Sequence, residues 1–105
     1  MKKVIEGKLY DTETADILHA WDNNLPNSDF NNCAEALYRT RNGRFFIEGI
    51  GGAMSRWSES CSDNSRSGGK GILPLGVDDA LVWAEEHEMP VDAIVEVFGA
   101  RVTEA

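Results

Sequence analysis

The dipeptide Asn42-Gly43 lies between two strand-like runs and constrains the fold more than any other local feature. Asn-Gly favours a two-residue type I′ turn because both turn positions need a positive φ. The sequence therefore predicts a β-hairpin over residues 33–49. A two-residue turn places three pairs on the core face, Thr40 with Phe45, Tyr38 with Ile47 and Ala36 with Gly49. The opposite, mixed face then carries Arg39 with Phe46 and Leu37 with Glu48.

The spacing of apolar residues changes to a helical period after Gly76, which is the expected N-cap. The residues at helical spacing are Val77, Ala80, Leu81 and Ala84, and acids occupy the remaining surface. Pro90 interrupts this pattern, so we expect a second short helix over residues 91–98. Its expected inward residues are Ile94, Val95 and Phe98, and Gly99 is expected to end it.

The first part of the chain predicts short strands. Residues 6–10 form a short strand-like opening. Residues 17–22 alternate in a pattern that fits either a strand or the continuation of a preceding short helix, and we favour the strand. Between them, Asp11 or Thr12 is expected to cap a brief helix through a side-chain oxygen.

Two segments rich in turn-forming residues, 23–29 and 55–71, predict surface loops. Residues 72–75 form a short apolar strand whose proline restricts it to an edge or an end of the sheet. Together the segments predict an α+β fold, a small antiparallel sheet with a central β-hairpin followed by two C-terminal helices.

A length of 105 residues is that of one ordinary domain. We therefore expect a single domain over residues 1–105, with a sheet-forming part at about 1–75 and an acidic helical part at about 76–99. No apolar run approaches the roughly 20 residues that cross a bilayer, and the first residues do not form a secretory pattern. These features predict a cytoplasmic protein that does not contact a membrane.

The sequence contains no motif that predicts catalysis or a cofactor. Gly49-Ile50-Gly51-Gly52 is not followed by the third glycine of a dinucleotide fingerprint. Cys33 and Cys61 lack the spacing of a zinc pair or a disulfide framework, so both are predicted to be free thiols. His19 and His87 match neither metal-ligand spacing nor a nucleophile motif. We therefore predict a protein that is not an enzyme and that uses no metal or cofactor.

Negative charge is concentrated in the last third of the chain. Residues 1–50, 51–70 and 71–105 carry net charges of −2, +1 and −7. Direct nucleic-acid binding is not expected, because phosphate contacts need Lys and Arg, and the expected partner is a protein with a basic surface. The candidate contact residues are Asp78, Asp79, Glu85, Glu86, Glu88, Asp92 and Glu96, with Trp57 as an aromatic anchor. A solvated helix face that keeps the protein soluble is the competing interpretation.

Four segments follow one another along nearly the whole chain. They are KKVIEGKLYDTETA, EALYRTRNGRFFIEGIGGAMSRWSES, GILPLGVDDALVWAEEH and IVEVFG. Together they resemble a family of small acidic proteins of bacterial mobile elements and phages. Small acidic proteins of such elements include inhibitors of host defence, among them anti-CRISPR proteins that block the DNA-binding or recruitment surface of an effector. The resemblance carries no catalytic motif and implies inhibition by binding.

The leading hypothesis is therefore a non-enzymatic inhibitor, an anti-CRISPR protein, that binds a basic nucleic-acid-binding surface of an effector complex as a DNA mimic. The alternative is a protein–protein interaction module of a mobile element that uses the mixed hairpin face, with Arg39, Arg41, Phe46 and Glu48. An unpaired edge strand would also allow a homodimer.

Overall fold

A computed structural model describes residues 1–60 and 65–105. The strands are β1 (Lys2–Ile5), β2 (Lys8–Asp11), β3 (Asp16–Asp22), β4 (Cys33–Arg39), β5 (Phe45–Gly51), β6 (Glu59–Ser60), β7 (Arg66–Ser67) and β8 (Gly69–Leu75). The helices are α1 (Val77–Glu86), α2 (Val91–Phe98) and a 3₁₀ helix (Gly99–Arg101). The central sheet has the order β3-β4-β5-β8 and is antiparallel throughout, which confirms the predicted α+β class.

The chain begins with a two-stranded ribbon, β1 and β2, whose turn was not predicted. Glu6 and Gly7 both have positive φ, 51° and 77°, as a two-residue type I′ turn requires. The expected brief helix after this ribbon does not form. Instead the Asp11 carboxylate accepts a hydrogen bond from the Glu13 backbone N–H at 2.9 Å, which forms a local turn. So short a segment does not nucleate a helix, and the side-chain hydrogen bond takes the place of a helical one. The strand expected at 17–22 is confirmed as β3.

The central hairpin forms, but its loop is one residue longer than predicted. The Thr40 N–H donates to the Arg44 carbonyl at 2.8 Å, and the Gly43 N–H donates to the Thr40 carbonyl at 2.9 Å. Gly43 has a φ of 83°. The Thr40 hydroxyl also accepts from the Arg44 N–H at 3.1 Å, which stabilises the wider loop. This is the geometry of a three-residue turn with a left-handed glycine, so the predicted two-residue turn is wrong.

The longer loop changes the register of β4 against β5. Leu37 pairs with Ile47, and Tyr38 pairs with Phe46. A one-residue change moves every side chain of a strand to the other face, so the predicted facing of β4 is wrong. Leu37 joins the core beneath the helices, and Tyr38 lies on the opposite face.

Both helices pack on one face of the sheet. The buried residues of this core are Leu37, Phe45, Ile47, Ala80, Trp83, Ala84, Met89 and Phe98. The predicted start of α1 at Val77, the Gly76 N-cap and the predicted bounds of α2 are confirmed, and α1 ends at Glu86. Val95 was expected to point inward and does not, because Ile94, Val97 and Phe98 form the packed face of α2 and the helical period carries Val95 outward.

The ribbon of β1 and β2 covers part of the other face. Tyr10, Phe46 and Ile72 form a second buried cluster there. The Tyr10 ring meets the edge of Phe46 at 5.5 Å between centroids, and Tyr38 stacks on Phe46 at 5.1 Å. Phe46 is fully buried, so the hairpin-face interface expected in the alternative hypothesis has no exposed aromatic residue at this position.

The segment predicted as a long loop contains regular structure at both ends. β6 pairs with β7, and β8 begins at Gly69 as an edge strand of the central sheet. The predicted edge position of residues 72–75 is confirmed. Cys33 is a free thiol, whereas Cys61, also predicted to be free, lies outside the described residues. In the parts of the chain that are described, no helix is long and apolar enough to cross a membrane.

Candidate functional site

The seven acids predicted as contact residues all have exposed side chains on α1, α2 and the link between them. We call this set, Asp78, Asp79, Glu85, Glu86, Glu88, Asp92 and Glu96, the acidic helical surface. Neither helix contains a Lys or Arg residue. The Arg101 guanidinium donates to the Asp78 carboxylate at 2.7 Å. For the other six acids, no ion pair is found with any described residue.

Three valines stand among these acids. Val82, Val91 and Val95 are 48%, 74% and 50% exposed. Residues three and four apart lie on one face of a helix, so Val82 lies between the acids of the first and last turns of α1. Val91 and Val95 likewise form an exposed pair on α2. The surface is therefore a mixture of carboxylates and uncovered apolar groups.

The link after α1 holds Glu88 in an unusual backbone conformation. The Met89 N–H donates to the Ala84 carbonyl at 3.0 Å, and the Glu88 N–H donates to the Glu85 carbonyl at 3.4 Å. These two bonds define a Schellman cap, whose left-handed position is normally occupied by Gly. Here that position is Glu88, with φ at 57°. Met89, the next residue, is buried and anchors the cap in the core.

The acids at the end of α1 also oppose the helix dipole. The C-terminal end of a helix carries partial negative charge, so carboxylates there are unfavourable. Glu85, Glu86 and Glu88 all lie at this end, and no basic residue occupies the last turn. Their placement lowers the stability of α1, so it is not explained by folding.

A second group of residues surrounds one buried carboxylate on the helix-facing side of the sheet. The Glu35 side chain is 2% exposed. Its Oε1 accepts a hydrogen bond from Trp83 Nε1 at 2.8 Å, and its Oε2 accepts one from Trp57 Nε1 at 2.7 Å. One carboxylate thus joins β4, α1 and the segment after β5. We call this group the Glu35 clamp.

Three further groups approach the same carboxylate at longer distances. Arg56 Nη1 lies 3.6 Å from Oε2, and His87 Nε2 lies 3.6 Å from Oε1. Cys33 Sγ lies 3.8 Å from Oε2. Burial raises the pKa of the Cys33 thiol, and the neighbouring Glu35 charge raises that pKa further. The half-exposed Arg56 is the cation that offsets the buried charge.

Aromatic rings close the clamp on the helix side. His87 stacks on Trp83 at 4.2 Å between centroids and meets the edge-on ring of Trp21 at 4.6 Å. His87 Nδ1 donates to the Trp83 carbonyl at 2.7 Å, and His19 Nε2 donates to the His87 carbonyl at 2.9 Å. Both histidines therefore have backbone partners inside the fold. No cluster of three metal-ligating side chains is found within residues 1–60 and 65–105.

Trp57, predicted as an aromatic anchor for a partner, is a member of the Glu35 clamp. Its indole lies over Gly49 and Gly71, and a Cβ atom at Gly49 would collide with the ring. The Arg56 guanidinium lies 5.4 Å from the centre of the Trp57 ring. Trp57 is only partly buried, and its role as an anchor stays a prediction.

Sequence reasoning did not single out Glu35. The predicted two-residue turn placed Leu37 on the mixed face, and Glu35, two residues before it, falls on the same face as Leu37. In the observed register Leu37 is a core residue, and Glu35 shares its face. The available signal was the presence of Trp57 and Trp83, because buried indole N–H groups need an acceptor.

Comparison with protein-family models, with curated proteins and with solved structures finds no match for this chain.

Proposed function

We propose that this protein is a non-enzymatic inhibitor that binds, through its acidic helical surface, a basic nucleic-acid-binding surface of a bacterial defence complex, of which a CRISPR effector is the leading example. The observation that supports this proposal is the mixture of seven exposed carboxylates and three exposed valines on two adjacent helices and the link between them. Carboxylates complement the Lys and Arg of a nucleic-acid groove, and the valines supply apolar contact.

The placement of the acids favours a contact role over a solubilising one. Acids that serve only solubility are tolerated anywhere on the surface. Glu85, Glu86 and Glu88 instead lie where the helix dipole disfavours them, and Glu88 also has a left-handed backbone. Local rules are broken mainly at functional sites, where the cost in stability is offset by function.

The geometry of α1 suits a row of basic side chains. Asp79 and Glu86 are seven residues apart, so their positions are separated by about 10 Å along the helix axis. Val82 lies between them on the same side. The Lys and Arg side chains of a nucleic-acid-binding groove would contact the carboxylates of Asp79 and Glu86, and Val82 would make an apolar contact between them.

The test is competition for nucleic acid in a panel of purified CRISPR effector complexes. Each complex is titrated with labelled target DNA in the presence of this protein, and DNA binding is followed by fluorescence anisotropy. We expect at least one complex to lose DNA binding, with an inhibitory concentration that rises steeply with salt because charge pairs are screened. Absence of competition in every complex would contradict the proposal.

A matched pair of variants separates the surface from the total charge. Reversal of four acids on the helices, Asp79, Glu85, Glu86 and Glu96 to Lys, should raise the inhibitory concentration about 100-fold or more. Reversal of four exposed acids elsewhere, Glu13, Asp16, Glu59 and Glu104 to Lys, changes the net charge equally and should have a much smaller effect. Equal effects of the two variants would show that net charge, not this surface, is responsible.

A further inference from the structure

The ribbon of β1 and β2 carries an exposed apolar pair on its outer face. Val4 and Leu9 are direct cross-strand partners, and their side chains are 66% and 57% exposed. Partnered residues share one face of a ribbon, and the residues next to them in sequence lie on the other face. Ile5 and Tyr10 pack towards the central sheet, so the adjacent Val4 and Leu9 point away from it.

Basic side chains surround this apolar pair. No ion pair is found for them among the described residues. Within residues 1–11, Glu6 at the turn is the one exposed acid, since Asp11 is buried. The basic ribbon surface consists of the exposed residues Lys2, Lys3, Val4, Lys8 and Leu9.

The acidic helical surface has the opposite charge and a similar apolar content. Its carboxylates surround three exposed valines, Val82, Val91 and Val95, and neither helix contains a Lys or Arg residue. Contact between the two kinds of surface would pair ammonium groups with carboxylates at the rim. The same contact would cover Val4 and Leu9 with the valines of the helices, as in interfaces that have an apolar centre and a polar rim.

The two surfaces lie on opposite sides of the central sheet. The helices pack on the face that contains Leu37 and Ile47, and the ribbon packs on the face that contains Phe46 and Ile72. Each surface points away from the sheet, so the two surfaces of one molecule cannot meet. A second copy can place its helices on the ribbon without entering the space of the first copy's sheet. Such a contact is heterologous and leaves one surface of each kind free at the two ends.

We propose that the basic ribbon surface binds the acidic helical surface of a second copy of the same chain, in a head-to-tail arrangement that can continue from copy to copy. The net charge of −8 does not prevent this contact. The thinnest dimension of the molecule is 21 Å, whereas the Debye length at 0.1 M salt is about 10 Å. Repulsion between the total charges is therefore largely screened, and attraction between charged groups in contact is screened much less.

The tip of the central hairpin is the competing basic region. Arg41 and Arg44 are exposed there. No large apolar side chain is exposed within residues 39–45. An acidic surface would meet this tip through solvated charge pairs alone, which contribute little to stability. The apolar pair therefore distinguishes the ribbon from the hairpin tip as the place where the helices bind.

Head-to-tail association covers the same acidic helical surface that the proposed function uses. A copy bound through that surface is therefore unable to bind a target through it. The inference does not rest on the proposed function, because association is measured with the purified chain alone. Competition for DNA and association between copies can each succeed or fail independently of the other.

The first test is sedimentation velocity of the purified protein in 0.1 M salt, at concentrations up to about 1 mM, the dissociation constant of a very weak contact. We expect the average mass to rise continuously with concentration and to pass the mass of a dimer. Salt at 0.5 M should weaken association by about tenfold or more. A protein that stays monomeric overturns the proposal, and so does a plateau at the dimer, which closed pairing of edge strands would give.

Complementation between two variants tests the head-to-tail contact itself. One variant neutralises the ribbon, and the other neutralises four acids of the helices. Each variant alone should be monomeric. An equal mixture should form a one-to-one pair and nothing larger, because each variant supplies the surface that the other lacks. Pairing also shows that both variants are folded, and absence of pairing overturns the proposal. The substitutions are Lys2→Ser, Lys3→Ser and Lys8→Ser in the first variant, and Asp79→Asn, Glu85→Gln, Glu86→Gln and Glu96→Gln in the second.

A matched control separates the ribbon from the total charge. Arg41→Ser, Arg44→Ser and Lys70→Ser together remove three exposed bases, as the ribbon variant does. This control should change the association constant by less than about threefold, because it touches neither surface. An equal loss in the control and in the ribbon variant overturns the proposal. Binding of the wild type to anionic phospholipid vesicles without self-association would overturn it as well, and would assign the ribbon to a lipid surface.

Discussion

The carboxylate of Glu35 lies beneath two indole N–H groups on the sheet, whereas the carboxylates of α1 and α2 face solvent with few partners. The chemical group is the same in both regions. In the Glu35 clamp the groups are buried, so loss of either hydrogen bond to the carboxylate would lower the stability of the fold. Glu35 therefore holds the helix, the sheet and the loop in one arrangement. On the acidic helical surface the charges are screened by water and contribute little to the fold, so they are free to serve recognition.

The largest effect is expected from removal of the buried carboxylate. Glu35→Ala should lower the free energy of unfolding by about 3 to 5 kcal/mol, because Trp57 and Trp83 lose their acceptor and a cavity forms. Urea denaturation followed by tryptophan fluorescence measures this change. Glu86→Ala, on the acidic helical surface, should stay within about 0.5 kcal/mol of wild type. Similar losses in the two variants would remove the contrast between the two regions.

A smaller loss is expected where the Trp57 indole meets the sheet. Gly49→Ala places a Cβ atom inside the volume of the ring, so Trp57 must move away from Glu35. We expect a loss of about 2 kcal/mol in stability, which is typical of overpacking. Gly71→Ala is the matched control, since its Cβ would be in ordinary contact with the same ring. If both variants unfold at the same urea concentration, the indole does not hold the position described.

At the acidic helical surface the expected effect has the opposite sign. Glu88→Gly should stabilise the protein by about 1 kcal/mol, because glycine suits the left-handed position and the change removes a carboxylate from the helix C-terminus. For a domain of this size the melting temperature should rise by about 4 °C. Glu85→Gly, inside the helix, should lower it instead. Destabilisation by Glu88→Gly would show that this carboxylate supports the fold.

The smallest effect concerns the reactivity of Cys33, measured in a Cys61→Ser background. Because burial and Glu35 raise the pKa of this thiol, alkylation at pH 8 should be slower than that of an unfolded cysteine peptide. Glu35→Gln should accelerate alkylation by removing a neighbouring negative charge.

The same shift predicts the direction of a change in stability with pH. The native state keeps the Cys33 proton to a higher pH than the unfolded chain does, so the contribution of this thiol falls as the pH rises through the ordinary range for thiols. Stability curves of the Cys61→Ser protein and of a Cys33→Ser, Cys61→Ser double variant should diverge there. An alkylation rate equal to that of the peptide would contradict both expectations.

The helical region was predictable because its pattern is local. The period that begins at Val77 and the break at Pro90 identified both helices, with the observed start of α1 and both observed ends of α2. Exposed positions of the acids follow from the same period, since the apolar residues occupy the packed face. The position of Val95 was predicted wrongly because Ile94, Val95 and Val97 are all apolar. Only contact with the sheet determines which of them are packed.

The sheet region was predictable in outline only. Asn42-Gly43 correctly indicated a hairpin, but the Thr40 side chain and the Gly43 conformation lengthen its loop. That single residue reverses the faces of β4 and therefore decides whether Glu35 is exposed or buried. The first turn was not predicted because Glu6 has a left-handed backbone conformation, which is uncommon for glutamate.

The sequence by itself determined the class of fold, the two helices and the concentration of negative charge on them, because each depends on spacing within a short segment. Only the tertiary structure decided the register of the hairpin and the burial of Glu35 beneath two tryptophans. These features join residues far apart in the chain. Their energies come from packing and desolvation of groups that meet only when the strands and helices assemble.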